Sequence, residues 1–233
     1  MTPDVPKGRA RHPFVLLVVL LATGVALGIA PNDREVWTLE NLLTVASIAL
    51  LVLTYRRFRL SLISYTLIFT FLMLHQVGAH YTYAEVPYDS WFRSLTGSTL
   101  SELVGAERNH YDRLVHFSFG LLLSYPMREL FVRIAEARGF WGYSLPLQMV
   151  ISTSALFELL EWAAAEVFGG GVGTDYLGSQ GDVWDAQKDM LLATVGSILA
   201  LGIVAAIHRS RRRDFQREWA ASLRVKQVRP PDE

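Results

Sequence analysis

The sequence predicts an all-α protein, a polytopic membrane bundle of about six transmembrane helices with both termini in the cytoplasm. Hydrophobic residues make up 51% of the 233 positions and are gathered into long uncharged runs. Charged residues make up only 19%, which is below the ~25% of ordinary soluble domains. Basic residues are concentrated in alternate connections between the runs. Together these observations exclude an intrinsically disordered chain and favour an integral membrane protein.

The composition narrows the classes of site that the chain can hold. Lys and Arg together number 22, as do Asp and Glu, so the formal net charge is zero. A zero net charge argues against a general nucleic-acid binder, and no nucleic-acid partner is expected. Because the chain has no cysteine, a disulfide scaffold, a thiol nucleophile and a cysteine-ligated metal are excluded. Any metal must be held by histidine, carboxylate or amide groups.

Six segments are long and apolar enough to cross a bilayer, whose hydrocarbon core takes about 20 residues per helix. The predicted spans are 13–30, 37–55, 60–80, 111–128, 145–167 and 186–207. The first run has no clear small-x-small cleavage pattern before Pro31, so a retained helix is favoured over a signal peptide. The chain then comprises a basic N-terminus (1–12), one membrane domain (13–207) and a basic tail (208–233).

The basic residues predict the orientation, because loops rich in Lys and Arg stay cytoplasmic. Of the 22 basic residues, 17 lie before span one, between spans two and three, between spans four and five, or after span six. Both termini are therefore predicted to be cytoplasmic, and the tail to hold anionic headgroups. The outer loops are 31–36, 81–110 and 168–181. The second has apolar residues typical of a short interfacial helix, and the glycine-rich third is predicted to be a flexible turn.

Polar and charged side chains gather at the outer ends of spans three to six. A charged group inside a membrane helix costs ~2.5–3.5 kcal/mol on insertion scales, so it persists where it pairs, binds a metal or lines a cavity. The residues concerned are His75, Gln76, His80, Asp112, Arg113, His116, Glu158, Glu161, Asp182, Asp185, Lys188 and Asp189. Their common depth predicts one polar cluster.

Helical spacing puts several of these residues on shared faces. The pairs that share a face are Asp112–His116, Glu158–Glu161 and Asp185–Asp189. Like charges on one face repel unless a cation or a shared proton lies between them. Arg113 and Lys188 are too few to neutralise the carboxylates, which leaves protonation, water or a divalent metal. Carboxylates and histidine on facing helices are how helix bundles build metal sites, and these ligands suit Mn, Fe, Zn or Mg.

Candidate roles follow from this chemistry, and each has a structural alternative. The candidate catalytic residues are His116, Glu161, Asp185 and Arg113. The hypothesised metal ligands are His80, Asp112, Glu158, Asp182 and Asp189. The first aspartates of span six also favour a helix N-terminus through the macrodipole, and His75 is equally well explained as a satisfied core histidine. A divalent metal is the one cofactor indicated, membrane lipids are the expected partners, and the oligomeric state is left open.

Four segments carry a resemblance to a known family. They are LHQVGAHYTYAEVPYD (74–89), RNHYDRLVHFSFGLLLSYPMRE (108–129), FELLEW (157–162) and LGSQGDVWDAQKDMLLATVGS (177–197). These segments resemble the YjdF-like family of uncharacterised bacterial inner-membrane proteins, a domain of unknown function. The resemblance implies a multi-pass protein of the bacterial inner membrane, and it implies no established reaction.

A more distant resemblance is to VanZ-like membrane proteins, which have an Asp-Lys-x-x-His pattern, a later Glu-x-x-Gln and an Asp-x-x-x-Asn. The similar positions here are Asp112-Arg113 with His116, Glu158 with Glu161, and Asp185 with Asp189. The departures, Glu in place of Gln and Asp in place of Asn, each add negative charge. They favour a cation site and weaken any transfer of that family's link to glycopeptide resistance.

Three functions remain open at this point. The first is a metal-dependent hydrolase or transferase acting on a lipid-linked or amphiphilic substrate that enters from the bilayer. The second is a small transporter or proton relay, which needs polar groups that continue toward the inner face. The third is a non-catalytic membrane scaffold, in which the carboxylates are paired or reach the headgroups.

Overall fold

In a computed structural model, the described residues are 7–105, 107–168, 179–211 and 215–224, and within these ranges the fold is entirely α-helical. The long helices are α1 (Lys7–Leu27), α2 (Arg34–Thr54), α3 (Leu62–His80), α6 (Tyr111–Ile134), α7 (Trp141–Phe168) and α8 (Asp185–Arg211). The short helices are α4 (Tyr88–Thr96), α5 (Leu100–Val104) and α9 (Phe215–Ser222). Each long helix matches one predicted span, with its ends moved by a few residues.

Side chains at the helix starts explain several of these boundaries. Asp33 precedes α2, and its carboxylate accepts hydrogen bonds from the backbone N–H groups of Glu35 and Val36 at 2.7 and 2.8 Å. Ser61 caps α3 in the same way. Thr99 and Glu102 form a capping box at α5, in which each side chain accepts from the other residue's backbone N–H. The backbone donors left open by each helix start are thereby satisfied.

The helix lengths and the exposed apolar side chains agree with the prediction of a membrane protein. Among the described residues, three helices are long and apolar enough to cross a membrane: α2, α3 and α8. The apolar part of α1 is shorter, and α6 and α7 are long but carry more polar and charged side chains. Large apolar side chains point outward, with Leu53 80% exposed and Val25 72% exposed. A surface of this kind is unusual for a soluble protein and suits contact with lipid.

Helix α6 lies at the centre of the bundle, against α3 on one side and against α7 and α8 on the others. Its closest partner is α8. A Cβ atom at Gly120 would collide with the carbonyl oxygen of Ala193, and one at Gly196 with the carbonyl oxygen of Phe117. Because lipid is as apolar as a protein core, membrane helices associate through such close backbone packing between small residues.

The segment predicted to hold one interfacial helix forms two, α4 and α5, joined through Gly97 in a left-handed conformation. Asp89 ties them together, because its carboxylate accepts from the backbone N–H of Ser101 at 2.9 Å and from its hydroxyl at 2.5 Å. These bonds lower the pKa of Asp89. The glycine-rich stretch at 169–178 and the end of the tail from 225 lie outside the described residues.

Candidate functional site

Helices α6 and α8 run parallel, and a constant register places their polar residues at one end of the bundle. Gly120 packs on Ala193, and the Ser124 and Ser197 hydroxyls, which are 73 positions apart in the chain, are hydrogen-bonded at 2.6 Å. One turn toward the helix starts, the same register brings His116 beside Asp189. The end of the bundle where α6 and α8 begin is called the polar end below.

The loops before the two helices hold this register at the polar end. The side-chain oxygen of Gln180 accepts from the Asn109 backbone N–H at 3.1 Å, and its amide donates to the Asn109 carbonyl at 3.0 Å. Gln180 adopts a left-handed backbone conformation with φ of 48°, which turns the chain into the start of α8. The two helix starts therefore lie at the same depth.

Three of the predicted site residues lie in a layer of ion pairs at the mouth of the polar end. Arg108 donates to both carboxylate oxygens of Asp185, at 2.7 and 3.3 Å. Arg113 donates to Asp182 at 2.5 Å and to Asp185 at 3.3 Å, and Lys188 donates to Asp182 at 2.6 Å. These five residues, called the ion-pair layer, join three cationic side chains to two carboxylates. Asp182, Asp185 and Arg113 are therefore engaged with each other.

The electrostatics of Asp182 are set by this layer. The hydrogen bond from Lys188, the backbone N–H of Trp184 and the hydrogen bond from Arg113 all favour the ionised carboxylate. They lower the pKa of Asp182 from 3.8 to about 2. Asp182 also lies just before the first residue of α8, where a negative charge interacts well with the helix dipole.

Below the ion-pair layer lies a second group, the carboxylate–histidine cluster, made of Asp112, His116, Glu158 and Asp189. One ligand atom each from Asp112, His116 and Asp189 lies within 4.8 Å of the other two. The His116 Nε2 is 3.6 Å from carboxylate oxygens of both Asp112 and Glu158, beyond hydrogen-bonding distance. Three carboxyl groups thus face one imidazole.

Two oxygen atoms of this cluster are buried and have no hydrogen-bond partner among the described residues: Oε1 of Glu158 and Oδ1 of Asp189. Buried polar atoms without partners are rare in folded proteins and each calls for an explanation. A divalent ion would supply one, since carboxylate and imidazole ligands bind such ions at ~2.1 Å and opposite ligands then lie ~4.2 Å apart. The ligand atoms of Asp112, His116 and Asp189 lie within 4.8 Å of one another, which is close to that spacing. The donor set therefore fits a divalent cation.

Two cavities adjoin the cluster, and Glu161 lines both. The larger, about 550 Å³, is an open cleft between α7 and α8 that joins acidic side chains to the apolar side chains of Trp162 and Val183. The smaller, about 80 Å³, extends inward toward His75. Glu161 itself is only 8% exposed. A group at this position can face both the cleft and the interior.

His75 lies at the smaller cavity as part of a hydrogen-bonded chain. Its Nε2 is 3.0 Å from the Glu40 carbonyl oxygen, and its Nδ1 is 2.5 Å from the Tyr83 hydroxyl. Because a carbonyl can only accept, Nε2 carries the proton and Nδ1 accepts from Tyr83. Tyr83 packs over Gly78, where a Cβ atom would collide with its ring. His75 is therefore a satisfied core histidine beside the cluster.

His80 lies apart from the carboxylate–histidine cluster. Its Nδ1 donates to the carbonyl oxygen of Leu27 at 2.7 Å, and its own carbonyl accepts from the Asn32 backbone N–H at 2.9 Å. His80 is five positions after His75, which turns the two side chains roughly 140° apart around α3. The rotation directs His80 to the end of α1, where it satisfies a terminal carbonyl.

Sequence reasoning missed Arg108 as a member of the polar end, and it assigned no role to Tyr83 there. Arg108 is the bidentate partner of Asp185, but it lies in a loop, where a basic residue has no expected neighbour. Tyr83 follows α3 with a φ of 51°, and a left-handed tyrosine is not visible in a sequence pattern. The one available signal for Arg108 was the excess of carboxylates over nearby cations.

Comparison with known proteins agrees with this architecture. The family model described as "Predicted membrane protein (DUF2238)" matches residues 12–210. The chain belongs to this family. It is 36% identical over 211 residues to the "Inner membrane protein YjdF" of Escherichia coli (strain K12), covering 89% of this chain and 97% of that protein.

Membership in the DUF2238 family confirms the YjdF-like resemblance and the location of this protein in the bacterial inner membrane. No solved structure gives a significant match to the chain. The comparisons do not show the more distant similarity to VanZ-like proteins. The family carries a description of location and no reaction, so the chemistry must be argued from the polar end.

Proposed function

We propose that this DUF2238 protein crosses the inner membrane six times with both termini in the cytoplasm, so that the polar end faces the outer leaflet. Six helices of at least 19 residues support six crossings. The connection after α2, the end of α6 and the end of α8 are rich in arginine, which supports a cytoplasmic location for those ends.

We propose further that the carboxylate–histidine cluster binds a divalent cation and serves a hydrolase or transferase for a lipid-linked, phosphate-like substrate. The observation that carries this proposal is the convergence of Asp112, His116 and Asp189 beside a cleft that is acidic at its base and apolar at its rim. An amphiphile could place its polar group at the cluster and its chain against Trp162.

The charge of the cleft makes the cation essential to this proposal. The carboxylates of the cluster would repel an anionic substrate, whereas a bound divalent ion would attract it and polarise its phosphoryl oxygen. The arginines of the ion-pair layer are engaged with aspartates in this arrangement. The attraction of an anion must therefore come from the cation held one turn deeper.

Glu161 is the proposed general base. It is buried, it lines both cavities, and it lies outside the three-residue ligand group. A carboxylate in that position could take a proton from water in the cleft, because it is not needed as a metal ligand. Glu158, whose carboxyl oxygen is 3.6 Å from His116, is the proposed fourth ligand.

The packing below the cluster favours an enzyme over a transporter. A transport route requires polar groups that continue across the membrane. Beneath the cluster, α6 and α8 meet through Gly120, Ala193 and Gly196 with no room for an added Cβ atom. The contact supports a pocket open at one end, and the unpartnered atoms of Glu158 and Asp189 argue against a purely structural role.

Elemental analysis tests the cation site. Purified protein dialysed against Mn²⁺ or Zn²⁺ and then against buffer is expected to retain about one ion per chain. Asp189→Asn and His116→Gln are each expected to lose it, because each removes one of three ligands. Glu107→Gln, an exposed carboxylate outside the cluster, is the matched control and should retain the ion. An absence of bound metal from all four proteins would rule out the site.

A second assay separates catalysis from cation binding. Release of inorganic phosphate from a long-chain isoprenyl diphosphate in detergent is expected to depend on the added ion. Glu161→Gln is expected to retain the metal and lose at least 100-fold in rate, as is usual when a general base is removed. If the parent protein retains the metal but shows no turnover, the proposed enzymatic activity is rejected and only the proposed cation binding remains.

A further inference from the structure

A second site lies at the opposite end of the bundle from the carboxylate–histidine cluster and is independent of the function proposed for it. Helices α1 and α2 both pack on α3 but contact each other little. Between them is a crevice of about 610 Å³. The apolar side chains along it are Leu17, Leu20, Ile48, Leu51, Phe69 and Leu72.

The crevice is closed toward the polar end and open toward the other. Beyond its closed end, the Trp37 ring lies against Gly28, where a Cβ atom would collide with it. Arg34 adds to this closure by donating to the carbonyl oxygens of Gly28 and Ile29 at 2.5 and 3.0 Å. The two helices are thus held together at one end and separate toward the start of α1.

The open end of the crevice is positively charged. Arg11 and Arg56 are the charged residues that line it, and none of its described lining residues is acidic. Both arginines are exposed, and neither makes a hydrogen bond, an ion pair or a ring contact with another described residue. Arg59 stacks on Tyr55 nearby, with 4.9 Å between the guanidinium carbon and the ring centre. The charge of this end is complementary to that of an anionic group.

The length of the crevice matches one leaflet. From Arg11 to Leu20 the chain advances nine residues along α1, which is roughly 14 Å at ~1.5 Å per residue. Half of the ~30 Å hydrocarbon core of a bilayer is about the same. A chain bound here would lie beside one leaflet with its polar group at the arginines, which is how a phospholipid is oriented.

We propose that this crevice binds one anionic phospholipid, with its phosphate between Arg11 and Arg56 and an acyl chain against Leu17 and Phe69. In the proposed topology the lipid belongs to the inner leaflet. A second copy of this chain fits less well, because a two-fold contact through this surface would bring the arginines of both copies together.

Native mass spectrometry of the full-length protein tests the proposal. The protein is purified in a neutral detergent and given equal amounts of phosphatidylglycerol and phosphatidylcholine with identical acyl chains. The parent protein is expected to retain one phosphatidylglycerol in preference to phosphatidylcholine. The double variant Arg11→Gln/Arg56→Gln is expected to lose roughly 25-fold in phosphatidylglycerol affinity, about fivefold for each arginine near a membrane surface.

The matched control is Arg57→Gln/Arg224→Gln, which removes the same charge at two exposed arginines that do not line the crevice. It should retain the lipid. A separate variant, Leu17→Trp, fills the crevice with both arginines intact and should reduce retention of the lipid. Equal retention of both lipids, equal loss in the control, or a dimer without bound lipid would overturn the proposal.

Discussion

At the level of single residues, one helical turn separates two kinds of carboxylate. Asp185 is the first residue of α8, and Arg108, from the loop before α6, donates two hydrogen bonds to it. Asp189 is one turn further into the bundle, is 2% exposed, and has a buried oxygen with no partner in the part of the chain that the structure describes. Arg108 lies in a loop and meets the carboxylate at the helix start, so the deeper carboxylates are the ones assigned to the proposed cation site.

Asp182 gives a prediction on pH dependence. Its folded pKa is about 2 and the ordinary value is 3.8, so its ion pairs stabilise the fold above pH 3.8 and lose this effect as the pH falls through 2. The melting temperature of the parent protein should exceed that of Asp182→Asn by a constant amount from pH 7 to about 4. The difference should then shrink toward zero at pH 2.

The control for this titration is Glu107→Gln, an exposed carboxyl group outside the ion-pair layer. Its melting temperature should follow that of the parent protein at every pH. A difference between the parent and Asp182→Asn that persists undiminished at pH 2 would show that the aspartate acts through its shape and not through its charge.

At the level of elements, the α6–α8 contact is what positions the cluster. Asp112 and His116 share one face of α6, and Asp189 lies on the facing side of α8. The depth at which these side chains meet depends on Gly120 and Gly196, which allow the two backbones to touch. The proposed metal site and the helix packing are therefore expected to be coupled, since a change in register would separate the three side chains.

Gly120→Ala tests this coupling. The added methyl group would collide with the Ala193 carbonyl oxygen, and overpacking of this kind costs about 1–3 kcal/mol. The variant should melt at a lower temperature and bind the divalent ion more weakly, as measured by thermal unfolding and elemental analysis.

Gly202→Ala is a suitable control on α8, because a Cβ atom there meets nothing within 4 Å. Alanine is favoured over glycine within a helix by up to ~1 kcal/mol, so this variant should be neutral or slightly more stable. An equal loss of stability in both variants would contradict the close packing described for α6 and α8.

At the level of the whole molecule, the zero net charge conceals two oppositely charged ends. Arginines gather near the start of α1, the end of α2 and the end of α8, while most of the buried carboxylates lie at the polar end. This distribution is what the positive-inside rule uses to orient a membrane protein. It also separates the two proposed sites, with the cation at one end and the anionic lipid at the other.

Single cysteines can test the orientation, because the natural chain has none. Ser90→Cys lies in the connection between α3 and α6, and Ser210→Cys lies at the end of α8. In intact spheroplasts, a membrane-impermeant maleimide should label Ser90→Cys and label Ser210→Cys only after permeabilisation. Arg57→Cys should behave like Ser210→Cys, because the proposed topology puts an even number of crossings (α3, α6, α7 and α8) between the two positions. The reverse pattern would invert the proposed topology.

The long apolar runs and the side on which the basic residues lie follow from the sequence directly. Hydrophobic length is a local property, so the predicted spans are each matched by a helix of similar bounds. The shared faces of Asp112 with His116 and of Asp185 with Asp189 are also local, because they follow from helical periodicity alone. The spans and the shared faces could both be predicted because each depends only on residues that are close together in the sequence.

The tertiary structure decided which of these faces meet. Arg108 compensates Asp185 across 77 positions of the chain, which leaves Asp189 to join Asp112 and His116, while His80 bonds to the end of α1. No local pattern encodes such pairings, because they depend on the register at which Gly120 and Gly196 let α6 and α8 come into contact. The sequence by itself determined a membrane bundle with excess carboxylates at one end, and close packing of two helices determined which carboxylates remain without a partner.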